Sequence, residues 1–352
     1  MVLCSKGIRR NNMKKVLVIG GTGTISTPVT LGLANDQNVD LYVLNRGNRK
    51  NSLPENVHQL KGDIRNVDGV KELLKDLEFD SVINFILMTV EDAKANFEIF
   101  NGKTRQFNFI STVCALDHTV SCNVDEKMPW GNRYYEYGRR KEECERFFLK
   151  QYEENGFPVT IVRPTQTYSD SRYPLSLKGK TYWSVASRML RGKEVIVHGD
   201  GQGVWACTHA TDFARLFNPL VGNDKTSGEI YQVMNPEPCT WDMIYQALAD
   251  ALGVEYKPVY ISEYLLDQSK TYDFRSTMHG DKHFSCIFDI SKVRSFSPDV
   301  KLETDIRKGA QMYVEYMNGH PEEKKEDEAF DTWCDKVIEK YHELEKAFTE
   351  VL

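Results

Sequence analysis

The chain has eight cysteines in 352 residues but no CxxC pair. They stand singly at Cys4, Cys114, Cys122, Cys144, Cys207, Cys239, Cys286 and Cys334. That scatter excludes a clustered zinc site and the dense disulfide framework of a small secreted domain. Reduced thiols in a cytoplasmic protein, with no metal, are the expectation. No apolar run approaches the roughly 20 residues a membrane-spanning helix needs, and the start, MVLCSKGIRRNN, has no apolar signal-peptide core. A positive surplus is also missing, since the formal net charge is -6. Nucleic acid and anionic membrane are therefore not expected partners, and a small-molecule substrate is.

What is present is ordinary globular composition, 41% hydrophobic and 27% charged, in a length that suits one large α/β domain with a smaller appendage. Residues 1–12 read as a loose extension. From residue 13 short apolar runs alternate with helical stretches: VLVIG, VDLYVLN, HQLKGDI, DSVINFI, RQFNFIST and PVTIVRPT as strands, with a long helix from about Tyr135 to Glu154. Such alternation predicts parallel pairing through right-handed crossovers, hence a doubly wound sheet over 13–165. Over 166–320 the rhythm loosens, and a smaller mixed α/β substrate-binding domain, interleaved with the sheet, is expected with short strands at EVIVHG, EIYQVM and KPVYIS. The closing segment, 321–352, carries Phe330, Trp333, Val337, Tyr341, Leu344 and Phe348 at three-to-four spacing. It predicts an amphipathic helix packed on its own domain or, alternatively, on a second subunit.

The stretch VLVIGGTGTIST runs from a buried strand into the first turn of a helix. Gly20 lets the chain turn sharply, and Gly23 lets a pyrophosphate approach the backbone N–H groups at the helix start. Gly20, Gly23, Thr24, Ile25 and Ser26 are therefore the expected phosphate cradle. Ser26 stands where a further glycine would allow close packing, and its hydroxyl is a candidate phosphate donor. An acidic residue at the end of the second strand would bind the adenosine ribose hydroxyls. Asn45 holds that place, followed by Arg46, Arg49 and Lys50, which leans the cofactor towards NADP over NAD, because arginine grips a 2′-phosphate. A solvated basic loop is the plain alternative. Asp63 and Ile64, after the third strand, are placed to meet the adenine.

Tyr137 and Lys141 are four apart on the long helix and share a face. A nearby ammonium favours the phenolate and lowers the tyrosine pKa, so this tyrosine can exchange a proton with a substrate hydroxyl during hydride transfer. Thr112, closing FIST, can hydrogen-bond the same oxygen. By position at strand ends, Asn84, Leu87 and Met88, and Gln166 and Tyr168, should line the active cleft. Pro164 is expected at the cofactor and Arg163 as a brace for its strand end. HGDKH (279–283) reads as a surface loop.

With GGTGTIS, GDI, STV, YEYGRRK, IVRPTQTY, HGDGQGVWACTHATDFA, VMNPEPCTWDMI and FDISKVRSFSPD in this order, the sequence resembles the extended short-chain dehydrogenase/reductases, the NAD-dependent epimerase/dehydratase family, from Met13 to about residue 315. VLNRG and VWACTH look most like the subgroup of chloroplast stem-loop-binding proteins. The resemblance implies a Rossmann fold, NAD(P), a Thr112–Tyr137–Lys141 catalytic set, hydride transfer at a secondary alcohol or ketone of a sugar or nucleotide-sugar-like substrate, and a homodimer. Two departures shape the expectation. Family 4,6-dehydratases carry an Asp-Glu pair after the threonine, where this chain has Val113 and Cys114, so that reaction is not expected. Epimerases of nucleotide-sugars have an arginine beyond GDG that holds the substrate diphosphate. Trp205 stands there, either stacking an uncharged substrate or packing in the core. The alternatives are an NADPH-dependent ketoreductase of a non-nucleotide small molecule and, in another class, an RNA-binding protein with subordinate catalysis.

Overall fold

The computed structural model describes residues 13–47 and 53–352. The N-terminal extension, Arg49 and Lys50 lie outside the described residues.

Strand β1 (Lys14–Ile19) has Val16, Leu17, Val18 and Ile19 all at 0% exposure, as a central parallel strand covered on both faces requires. Helix α1 (Ser26–Ala34) leads to β2 (Val39–Asn45) and β3 (His58–Lys61), then α2 (Val67–Leu73), β4 (Ser81–Asn84), α3 (Val90–Phe100), β5 (Phe107–Ile110) and α4 (Glu136–Asn155). The next strand is Val159–Arg163, and the seventh of the main sheet is Glu229–Gln232, pairing in parallel with it in the register Glu229↔Thr160. EIYQVM therefore belongs to the main sheet rather than to the smaller ones. Local pattern shows that this segment is a strand, but nothing local shows its neighbour.

The sheet order is Glu229–Gln232, Val159–Arg163, β5, β4, β1, β2, β3, every pair parallel. This is a Rossmann-like doubly wound sheet with helices on both faces. The strand order reverses at β1, between β4 and β2, and the crevice at the carboxyl ends there is where such sheets bind ligands. Successive side chains of β1 point to opposite faces, so Val16 and Val18 join one core and Leu17 and Ile19 the other.

Smaller sheets complete the molecule. Val204–His209 pairs with Gln166–Tyr168 and Pro238–Thr240, and Pro258–Ile261 pairs with Val195–His198. The closing helix, Glu328–Thr349, buries Phe330, Cys334 and Ile338 and ties down through Asp331, which meets Arg188 at 2.6 Å and Lys193 at 2.8 Å. Its last turns leave Leu344 and Phe348 exposed. Among the described residues no helix is long and apolar enough to cross a membrane.

Candidate active site

The glycine turn is braced by hydroxyls from the helix it starts. Gly20 adopts φ 79°, a left-handed conformation that favours glycine, and a Cβ there would stand 2.5 Å from Ile86 Cγ2. Ser26 Oγ donates to the Gly20 carbonyl and accepts from the Gly23 N–H, both at 2.7 Å. Thr27 and Thr30 donate to the carbonyls of Gly23 and Gly21 at 2.7 and 3.0 Å. This corrects the expectation that Ser26 reaches a phosphate. It is 1% exposed and its hydroxyl is spent inside the turn, fixing the turn's shape.

Beside the turn lies a cavity of ≈230 Å³ at the switch point of the sheet. Gly20, Gly23, Asn45, Arg46, Asp63 and Ile64 all line it. Among the other lining residues, sequence reasoning missed Thr22, Leu53, Gln59 and Ile86; Ile86 is signalled only by following β4. Ile25 is not among the lining residues, and Thr24 opens instead onto a second cavity. A glycine turn a Cβ would block, next to a cleft that Asn45, Arg46 and Asp63 also line, fits a dinucleotide. Arg46 is exposed on its rim and, among the described residues, has no carboxylate partner.

The catalytic candidates converge at the carboxyl ends of β4 and β5. Lys141 is 2% exposed, and its Nζ donates to the carbonyls of Leu87 (2.6 Å) and Ile110 (2.8 Å). It therefore stitches the two strand ends together next to Ile86, on the cavity wall. Tyr137 sits one turn earlier, its ring centroid 5.8 Å from that Nζ. Thr112 Oγ accepts from the Cys114 N–H at 3.1 Å, and its hydroxyl reaches the Tyr137 phenol.

The electrostatics differ from expectation. Burial pushes the Tyr137 phenol above its ordinary value, Cys114, Tyr135 and Asp281 add to this, and Thr112 alone pulls it down. Burial also lowers Lys141 to about 8. Proximity of an ammonium favours phenolate, but here desolvation outweighs it, because the half-buried Tyr137 loses much of its hydration while the buried Lys141 turns its charge towards backbone carbonyls. In the chain by itself Tyr137 is a neutral acid.

Several cleft assignments are corrected. Trp205 is 0% exposed, edge-on to His118 and Phe288, so it packs the core and offers no stacking face. The Leu87 side chain is 1% exposed in the core, and only its carbonyl serves the site. Asn84 is buried against Asn96 (2.8 Å), and Tyr168 is buried with its hydroxyl directed at the Asp305 carbonyl. Met88 is exposed, and Gln166 is half-buried with Oε1 unpartnered. Pro164 is buried, its carbonyl accepting from the Val113 N–H at 3.1 Å. Arg163 is a brace, bonded to buried Glu145 at 2.6 Å.

HGDKH is not a surface loop. Residues Met278–Lys282 form a π-helical turn with Met278 and His279 buried, and among the described residues no metal-binding cluster exists. Asn132 Nδ2 clamps this turn to the catalytic strand end, donating to Gly280 O (2.6 Å) and Cys114 O (2.7 Å). Gly280 permits the approach, since a Cβ would meet Tyr135 Cβ at 2.4 Å. Asp281 is thereby set 3.2 Å from Cys114 Sγ and paired with Lys282 at 2.5 Å. Sequence reading missed this carboxylate because it arrives from 167 positions away.

A model of the NAD dependent epimerase/dehydratase family matches residues 16–233, more than half of the chain. The chain is 24% identical to the 2′-dehydrokanamycin reductase of Streptomyces kanamyceticus over 81% of its length and 79% of that protein's. It is 25% identical to the chloroplast stem-loop binding protein of 41 kDa b of Arabidopsis thaliana over 84% of its length and 78% of that protein's. With the dTDP-D-glucose 4,6-dehydratase of Homo sapiens it shares 25% identity over 62% of its length and 69% of that protein's. The fold matches a dTDP-glucose 4,6-dehydratase from Bacillus anthracis in complex with NAD, with TM-score 0.68 and 17% identity over 88% of this chain and 98% of that one. Val113 and Cys114 still follow Thr112, but dehydratases stand among the relatives this chain is similar to, so the expectation that excluded a 4,6-dehydratase is not supported.

Proposed function

This chain belongs to the NAD-dependent epimerase/dehydratase family, and we propose that it is an enzyme moving a hydride between a nicotinamide cofactor and a secondary alcohol or ketone of a sugar-like substrate. The observation that carries this reading is the meeting of Thr112, Tyr137 and Lys141 at two strand ends one residue from the nucleotide cavity. The cofactor supplies or takes the hydride. Tyr137 gives its proton to the substrate oxygen, or takes it back, while Thr112 hydrogen-bonds the same oxygen and fixes its position. Lys141 holds the β4 and β5 ends in register and places positive charge beneath the phenol.

The neutral, desolvated Tyr137 suits proton donation, hence ketone reduction. Exposed Arg46 with Asn45 beside it favours NADP, as a guanidinium can grip a 2′-phosphate bidentately and no carboxylate stands at this strand end to repel it. Nucleic-acid binding is disfavoured by the net charge of -6.

Asp281 supports a second reading, elimination of water next to the newly formed ketone. Its carboxylate would take the proton from the carbon beside the carbonyl and pass it to the β-hydroxyl, which leaves as water as the C–O bond breaks. Hydride return to the carbon that lost the hydroxyl, with the proton Tyr137 took during oxidation going back to the carbon beside the carbonyl, would complete the turnover.

Fluorescence titration with NADPH and NADH tests the cofactor, and loss of reduced-nicotinamide absorbance with keto-sugars tests the chemistry. NADPH should bind more tightly, and Arg46→Asp should erase the difference. If no nicotinamide form binds, the enzyme reading is wrong.

A further inference from the structure

The short strands Asn123–Val124 and Ile287–Phe288 pair in parallel, with Ile287 opposite Asn123 and Phe288 opposite Val124. One step back in that register Cys286 stands opposite Cys122, and the Ile287 N–H donates to the Cys122 carbonyl at 2.7 Å. Residues two apart on a strand share a face, so both thiols belong to the face that carries Val124 and Phe288. Neighbouring strands lie about 4.8 Å apart, inside the roughly 4.4–6.8 Å between Cα atoms that a disulfide spans.

The two thiols differ in their surroundings. Among the described residues Cys122 is the one exposed cysteine, while Cys286 is buried. Burial pushes the Cys286 thiol up to about 12, and Asp281 and then Cys122 add to this. It is therefore a neutral thiol that needs a base to become a nucleophile. His118 is placed to be that base. Its Nε2 lies 3.0 Å from the Val113 carbonyl, which can only accept, so the ring proton sits on Nε2 and Nδ1 is bare. The Cys286 thiol donates to that Nδ1 at 3.3 Å. Burial lowers His118 below its ordinary value, against Asp281, the Val113 carbonyl and Asp117, and keeps the ring neutral. Cys207 and Cys239 also stand near each other, but both are buried and an oxidant reaches neither.

We propose that Cys122 and Cys286 form a reversible, peroxide-sensitive dithiol, with His118 as the base that activates Cys286. Hydrogen peroxide gives an oxygen to the exposed Cys122 sulfur, leaving a sulfenic acid and water. His118 then takes the Cys286 proton as that sulfur attacks Cys122. The S–S bond forms, the S–O bond breaks, and hydroxide leaves with the proton from His118 as water. Two thiols and one peroxide become one disulfide and two waters, and a dithiol reductant reverses the oxidation. Cys122 follows the segment that begins at Thr112, and Cys286 follows the Met278–Lys282 turn, which Asn132 clamps to the Cys114 carbonyl. Oxidation would thus join these two segments covalently. None of this requires the nicotinamide reading to hold.

The test is to treat the purified protein with hydrogen peroxide, alkylate the remaining thiols, and map non-reduced peptides by mass spectrometry. A peptide linking Cys122 to Cys286 should appear, with two fewer free thiols, and dithiothreitol should restore both. The oxidised form should melt several degrees higher, because the bond closes a long loop, and Cys122→Ser should show neither the link nor the shift. His118→Phe should slow closure about tenfold or more, while trapping with dimedone shows Cys122 reaching the sulfenic acid at the wild-type rate. Closure as fast as in the wild type would remove the histidine from the step. A Cys286 thiol that stays free under peroxide overturns the pair, whether Cys122 is then untouched, over-oxidised or joined to Cys4.

Discussion

The candidate nucleotide cavity and the candidate catalytic pocket share a sheet edge but are built in opposite ways. Except for Ile86, the cavity is drawn from residues 19 to 64, from three strands adjacent in both sequence and space. Its turn is fixed by hydroxyls three to nine positions away. The catalytic pocket is assembled from Thr112, the start of α4 and a π-helical turn at Met278–Lys282, clamped together by one asparagine. The first is a local motif tolerant of variation, as Ser26 in a glycine position shows. The second depends on a few long-range contacts, and its charges respond to burial more than to sequence neighbours.

The largest effect that would sharpen this contrast is Tyr137→Phe. Losing the proton donor should slow turnover by about 10²–10⁴-fold while NADPH affinity stays within twofold or so of wild type; equal loss in both would erase the separation. Gly138→Ala strikes the long-range assembly, since a Cβ there would lie 2.0 Å from the Cys114 carbonyl oxygen, which is backbone. Overpacking of this kind costs about 1–3 kcal/mol or more, and thermal unfolding should show a Tm several degrees lower. An unchanged Tm would mean that α4 and the 112–115 segment move apart freely.

Arg46→Asp addresses the local cavity and should weaken NADPH by about tenfold or more with NADH little changed. Ser26→Ala should cost about 1 kcal/mol through its two lost hydrogen bonds, read as a modest fall in both Tm and cofactor affinity. A further effect concerns pH. Lys141 is depressed from 10.5 to about 8 in the fold, so between those values the unfolded chain binds more protons than the folded one. Stability from this site therefore rises with pH from about 8 towards 10.5, and below 8 the cost of the buried charge is fully present. Urea titrations of wild type and Lys141→Met across that range should show the wild type gaining on the variant. Parallel curves would place the lysine charge in water.

Much of the molecule was legible along the chain. The alternation of VLVIG, VDLYVLN, DSVINFI and PVTIVRPT with helical stretches specifies parallel strands because each needs a crossover and apolar cover on both faces. Gly20 announces the turn because few other residues adopt its left-handed backbone. The four-residue step from Tyr137 to Lys141 sets both on one helix face whatever surrounds them. These are consequences of local geometry, and a sequence states local geometry directly.

Only the tertiary structure decided which neighbours those pieces meet. Trp205, on a covered strand, and Leu87, in the loop after β4, turned inward, and the sign of the Tyr137 shift follows from its partial burial. HGDKH came to lie against the Cys114 segment through contacts between distant parts of the chain. Desolvation and pairing depend on every group within a few ångströms, and chain order alone does not say which groups those will be.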